Sequence, residues 1–140
     1  MPSRTGVELE VETISRLANH HNIVALKEAN SSKLKLRELI ELVGDKLDLL
    51  SGDDKSCGEF ISMGGKGVIS VTANIVPAKM VHLCQIAKKG DQLQRRLMEQ
   101  QLAELHRMLG IESNPIPVKW ALSKMGKIVD SIRLPLLPLS

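Results

Sequence analysis

Through the first half of this 140-residue chain, short apolar runs alternate with amphipathic stretches, and that alternation narrows the possible folds most. Val11 to His20 places Ile14, Leu17 and Ala18 at helical spacing, and the compact run Ile23-Val24-Ala25-Leu26 follows. Leu34 to Val43 is helical again through Leu36, Leu39, Ile40 and Val43. Gly44 is placed to close that helix in the manner of a C′ glycine. Leu47 to Leu50 reads as a second strand, about Lys55 to Met63 as a short helix, and Val68-Ile69-Ser70-Val71 as a third strand. Runs this short and this apolar suit strands covered on both faces. Strand–helix–strand succession in turn calls for parallel pairing through right-handed crossovers.

The rest of the chain changes character. Lys79 to Lys89, Gln92 to Leu109 and Val118 to Ile128 read as consecutive helices with no strand between them. Leu93, Leu97, Leu105 and Leu109 form one apolar stripe, and Asn114-Pro115-Ile116-Pro117 separates the second helix from the third. Pro135 and Pro138 make the tail an extended arm. A closed (β/α)₈ barrel needs roughly 200 residues or more, so this chain is too short to be one by itself.

Alternation within the first strand decides where its lysine points. Ile23, Ala25, Lys27 and Ala29 share one face, while Val24, Leu26 and Glu28 share the other. With Val24 and Leu26 packed under helices, Ala25 and Lys27 face the interior, near the carboxyl end of the strand where parallel α/β folds collect their functional groups. A lysine among apolar neighbours loses hydration, which disfavours its ammonium form and leaves an amine able to attack a carbonyl and form a Schiff base. The plain alternative is a strand-end lysine reaching solvent. Gly52 and Gly67-Val68-Ile69-Ser70 offer main chain that a carboxylate can approach closely, or simply turns. Arg4, in Pro2-Ser3-Arg4-Thr5-Gly6, offers a guanidinium for a carboxylate, or an ordinary surface charge.

Other chemistries lack their residues. Gly64-Gly65-Lys66-Gly67 resembles a phosphate loop only superficially: no Ser or Thr follows the lysine, and the segment enters a strand rather than leaving one. Cys57 and Cys84 form no CxxC, and His20, His21, His82 and His106 form no ligand pair, so neither a metal site nor a disulfide framework is expected. Net charge is only +3, and Phe60 and Trp120 are the sole aromatics, which offers nucleic acid no stacking platform. No signal-peptide core or membrane-length apolar run appears. The expectation is a soluble cytoplasmic protein with reduced thiols.

Five ordered motifs together resemble a known family. Pro2-Ser3-Arg4-Thr5-Gly6, Ile23 to Ala29, Leu50-Ser51-Gly52-Asp53-Asp54, Gly67 to Asn74 and Asn114 to Lys119 stand in the order and spacing of dihydrodipicolinate synthase, 4-hydroxy-tetrahydrodipicolinate synthase. The resemblance covers essentially all of this sequence but only the carboxyl-terminal half of the family's chain. Arg4 favours this family over N-acetylneuraminate lyases and keto-sugar-acid aldolases, which resemble it in the lysine strand. The fold implied is α/β: half of a (β/α)₈ TIM barrel with three parallel strands, plus a carboxyl-terminal helical extension. Residues 1–75 are then the last three βα units, and 76–140 the final barrel helix and extension, forming one compact unit.

The resemblance also implies roles. Lys27 forms an imine with pyruvate, whose enamine attacks L-aspartate 4-semialdehyde in lysine and diaminopimelate biosynthesis, without any cofactor. Arg4 holds the semialdehyde's carboxylate, and the main chain of Gly52 and Ile69 borders the bound pyruvate. The family's proton-relay tyrosine, its Gly-Thr-Thr-Gly-Glu threonines and its lysine feedback site belong to the half that this sequence does not match. A truncated synthase is therefore expected, as a homodimer or higher oligomer covering its open face. The alternatives are an inactive remnant or assembly module, or one half of a split enzyme. A helical adaptor binding through the Gln92 to Leu109 stripe is a third reading.

Overall fold

A computed structural model describes residues 5–29 and 32–140. Its first half comprises α1 (Val11–Leu17), β1 (Ala25–Glu28), α2 (Lys33–Val43), β2 (Asp48–Ser51), α3 (Cys57–Ser62) and β3 (Gly67–Val68). A 3₁₀ turn at Thr72–Asn74 leads to α4 (Pro77–Lys89), α5 (Gln92–Met108) and α6 (Ile116–Lys124). The three strands form one sheet in the order β1-β2-β3, and both pairs are parallel. Lys27 lies opposite Leu50, and Leu50 opposite Gly67. This is the partial barrel sheet expected, followed by consecutive helices.

Local hydrogen bonds set the strand limits and shift each from the apolar run that announces it. The first strand begins at Ala25 rather than Ile23, because the Ile23 N–H donates to His20 O at 2.9 Å and belongs to the preceding turn. The second begins at Asp48, because the Leu47 N–H donates to Val43 O at 2.8 Å. The third stops at Val68 instead of running to Val71, since the N–H groups of Val71 and Thr72 turn away to the Asp54 carboxylate at 3.0 and 2.8 Å.

The two faces of the sheet differ. Leu26, Leu49 and the helix-facing side chains of α1 and α2 form one apolar cluster with Leu36, Leu39, Val43 and Phe60. Leu26 packs as expected, but Val24 is 69% exposed, beyond the cover of that helix layer. The opposite face, carrying Ala25, Lys27, Asp48 and Ile69, has no layer upon it among the described residues: all four side chains are exposed. Leu39 is 0% exposed. Truncating it, as Leu39→Ala, is expected to cost about 3 kcal/mol in urea unfolding, whereas Val24→Ala should change stability by less than about 0.5 kcal/mol. Equal effects at the two positions would mean that the helix layer does not pack as described.

A second cluster joins Cys57 of α3 and Val68 of β3 to Met80, Leu83, Met98 and Leu102, and so draws on both sides of position 75. The buried stripe of α5 keeps only the carboxyl-terminal part of the leucine series expected. Leu93 and Leu97 are exposed, whereas Leu102, His106 and Leu109 are buried. Gly58 of α3 explains the offset: a Cβ there would collide with the Glu99 carboxylate and touch the Arg95 stem, so the helix seats its Arg95–Glu99 ion pair, 2.8 Å, against this glycine. The left-handed closure expected at Gly44 is found at a different glycine. Gly44 is right-handed at φ −67°, while Gly90, at φ +76°, supplies left-handed closure at the end of α4. The tail does lack helix, and its Ser140 N–H returns to Glu112 Oε1 at 3.0 Å. No helix of the described residues is long and apolar enough to cross a membrane.

Candidate functional site

The site forms where the ladder runs out at the carboxyl ends of the strands. Beyond the strand limits, the Gly52 N–H donates to Glu28 O at 2.7 Å, and the Ile69 N–H donates to Ser51 O at 2.9 Å. Gly52 and Ile69 are thereby held level with each other, with Gly52 on the strand beside Lys27. The side chain of Lys27 lies across Gly52: a Cβ built there would stand 2.9 Å from Lys27 Cε and 2.9 Å from Ala29 Cβ. This is the close approach that only glycine allows. Of the four residues singled out from sequence, Lys27 and Gly52 touch, and Ile69 stands level with Gly52 one strand further on. Arg4, the fourth, lies outside the described residues.

Among the described residues, nothing builds the dry surroundings expected for Lys27. Its side chain is exposed, as is Ala25 beside it, and Ile69 is 51% exposed. The reason is topological. The interior of a parallel barrel is dried by strands on the opposite wall, and three strands provide no such wall.

Behind the lysine, the structure is better furnished. Glu28 points to the helix side and is buried, facing Lys35 of α2 with Oε2 3.4 Å from Nζ. The Lys35 ammonium also donates to Glu8 and, at 2.9 Å, to Leu9 O. Burial alone would push Lys35 down, but the hydrogen bond to Glu8 and the charge of Glu28 outweigh it and hold the ammonium above its ordinary value. This network ties the amino-terminal segment to β1, and a cavity of about 250 Å³ between them is lined in part by Thr5, Lys27 and Glu28. Sequence reasoning missed it, although an acid on the helix-facing side of a buried strand signals that a cation must sit opposite.

The turn after β2 carries two aspartates. Asp53 Oδ2 accepts from Ser56 N at 2.9 Å and Ser56 Oγ at 2.6 Å, anchoring the approach to α3. Asp54 reaches the other way, to the turn after β3. Cys57 and Cys84 are free, and burial pushes the fully buried Cys57 thiol up to about 12. Burial likewise holds the His106 imidazole below its ordinary value, against the opposing pull of Asp54 and Asp53. Among the described residues, no three metal-ligating side chains converge.

These features define a class: a portion of a parallel βα barrel with a lysine at the carboxyl end of a strand, lying on the main chain of its neighbour. A family model for the Dihydrodipicolinate synthetase family matches residues 1–140. The 4-hydroxy-tetrahydrodipicolinate synthase of Thioalkalivibrio sulfidiphilus is 49% identical over 140 residues, covering 100% of this chain and 48% of that protein. A crystal structure of the dihydrodipicolinate synthase from Acinetobacter baumannii, complexed with pyruvate, superposes with a TM-score of 0.95 at 45% identity, covering 100% of this chain and 48% of the other. The Aquifex aeolicus dihydrodipicolinate synthase gives a TM-score of 0.96 at 39% identity, with the same coverage. The chain belongs to the dihydrodipicolinate synthetase family. It spans about half the length of these relatives.

Proposed function

We propose that this chain is the carboxyl-terminal half of a 4-hydroxy-tetrahydrodipicolinate synthase, and that Lys27 is its Schiff-base nucleophile. The observation that carries this reading is the Lys27 side chain laid across Gly52 at the strand ends. A relative of the same fold has been crystallised with pyruvate, which supports the keto acid as first substrate. In this reading, the Lys27 amine adds to the ketone carbon of pyruvate and water leaves, giving an imine. Loss of a methyl proton yields the enamine, whose carbon attacks the aldehyde of L-aspartate 4-semialdehyde. Cyclisation through the semialdehyde's amine then releases the product from the lysine. The protein needs no cofactor for this, since the lysine itself is the covalent catalyst. Gly52 and Ile69 border the keto acid through their main chain, and Arg4 holds the semialdehyde carboxylate.

Half the machinery comes from elsewhere. The sequence contains no Tyr, so a phenolic proton relay requires another polypeptide segment. The exposure of Lys27 favours a second reading alongside the first: a component that becomes catalytic only when the open face is covered, by a second copy or by the other half. The two parts of the chain act as one unit in either case.

Borohydride reduction in the presence of pyruvate tests the nucleophile apart from turnover. The expected result is a stable adduct on the peptide containing Lys27, found by mass spectrometry, with little or no synthase turnover from the chain alone. No adduct at all would sink the enzymatic reading and leave a non-catalytic remnant. Full turnover by the isolated chain would instead refute the need for a second half.

A further inference from the structure

Two turns follow one another along the sheet from Lys27, one after β2 at Gly52 and one after β3 at Ile69. The ladder fixes Ile69 through Ser51 O, and what lies beyond it is fixed by a side chain. Asp54 Oδ2 accepts three hydrogen bonds: from Val71 N at 3.0 Å, Thr72 N at 2.8 Å and Thr72 Oγ1 at 2.8 Å. Thr72 is 0% exposed, so its hydroxyl is committed to this carboxylate. A carboxylate accepting several N–H and O–H donors at once is a strong local anchor, because each such bond is charge-assisted. Asp54 stands two residues after Gly52, and Val71 stands two residues after Ile69. The carboxylate therefore staples the turn after β2 to the turn after β3.

The staple also gives β3 its end. By withdrawing the N–H groups of Val71 and Thr72 from the sheet, Asp54 bends the chain after Ser70 into the 3₁₀ turn. Ser70 Oγ then accepts the Ala73 N–H at 2.8 Å. Ile69 is held by Ser51 on one side and through Asp54 on the other. Asp54 and the buried His106 of α5 line one cavity of about 210 Å³ behind the staple, so the helical extension backs the same turn.

We propose that Asp54 is a positioning residue for the Lys27 site: its carboxylate, held by Val71 and Thr72, sets the main chain of Ile69 level with Gly52 and so shapes the surface on which the keto acid's carboxylate rests. The proposal builds on the Schiff-base reading above. It concerns substrate binding more than the chemistry of the amine, because Asp54 touches the turns and not Lys27.

The experiment measures adduct formation by the full chain with cyanoborohydride across a range of pyruvate concentrations. Asp54→Ala should raise the half-saturating pyruvate concentration at least tenfold and lower the limiting rate less than threefold, with Asp54→Asn intermediate. Thr72→Val should move in the same direction, whereas Thr72→Ser, which keeps the hydroxyl donor, should match the unaltered chain. Asp91→Ala is the control: it removes the α5 cap, in which Asp91 Oδ1 accepts from Gln94 N at 3.0 Å, and should leave half-saturation unchanged. Should Asp54→Ala fail to fold, Asp54→Asn and Thr72→Val carry the test. Folded variants of Asp54 and Thr72 with unaltered half-saturation would overturn the positioning role while the unaltered chain still traps pyruvate. An unaltered chain that traps nothing defeats the Schiff-base reading itself and this role with it.

Discussion

Replacing Gly52 with alanine is expected to slow adduct formation at Lys27 about a hundredfold while leaving the chain folded. A Cβ at this position stands 2.9 Å from two carbons, Lys27 Cε and Ala29 Cβ, well inside van der Waals contact. The two encounters relax differently. The lysine arm has free torsions and swings aside, whereas Ala29 Cβ is fixed to the main chain just past β1 and yields only if the turn moves. The amine therefore leaves the place that the sheet assigns to it, and the main chain beside it shifts by a few tenths of an ångström. Misplacement of a reacting group on the 1 Å scale costs on the order of 10² in rate. Stability should suffer little, because Gly52 lies at a strand end and its face of the sheet is open. Timed mass spectrometry with pyruvate and reductant, alongside thermal unfolding, checks both halves of this expectation. A trapping rate within threefold of the unaltered chain would show that contact with Gly52 does not set the position of the amine.

The alternation of apolar runs makes three parallel strands legible, and period two places Lys27 on the face opposite Leu26 without any coordinates. The apolar runs alone mark Gly52 and Gly67 to Ser70 only as ends or parts of the next two strands; it is the family resemblance that singles out Gly52 and Ile69 beside the lysine. The strand limits are less visible, since single hydrogen bonds decide them: Ile23 to His20, Leu47 to Val43, and Val71 to Asp54. Apolar composition carries no record of such bonds. The α5 stripe misleads for a related reason. Leucine spacing identifies a helix, but the face it buries is chosen by Gly58, which lets the Arg95–Glu99 pair come close. Asp54 sits within a motif that is plain in the sequence, yet its work depends on a turn seventeen positions away. The dryness expected of Lys27 is not met by the described residues, since three strands provide no opposite wall to exclude water.

That missing wall yields the largest effect to be expected. Ala25, Lys27, Asp48 and Ile69 form an exposed face on a sheet with two unpaired edges among the described residues, and such faces and edges drive association. In light scattering, the chain alone should run as a dimer or larger, and a monodisperse monomer would count heavily against a face that needs cover. Co-expression with the portion of the Thioalkalivibrio sulfidiphilus synthase that this chain does not match should go further. In the reading proposed above, that portion would supply the opposite wall, dehydrating Lys27, and the phenolic groups that this sequence lacks. General acid–base assistance is worth about 10² to 10⁴ in rate, so adduct formation should rise by two to four orders of magnitude and synthase turnover should appear. A copurifying complex without turnover would mean that the chain keeps the fold's assembly surface but has lost its chemistry. Turnover that survives Lys27→Ala in that complex would place the nucleophile elsewhere, and the geometry at Gly52 would then be inherited structure rather than a working site.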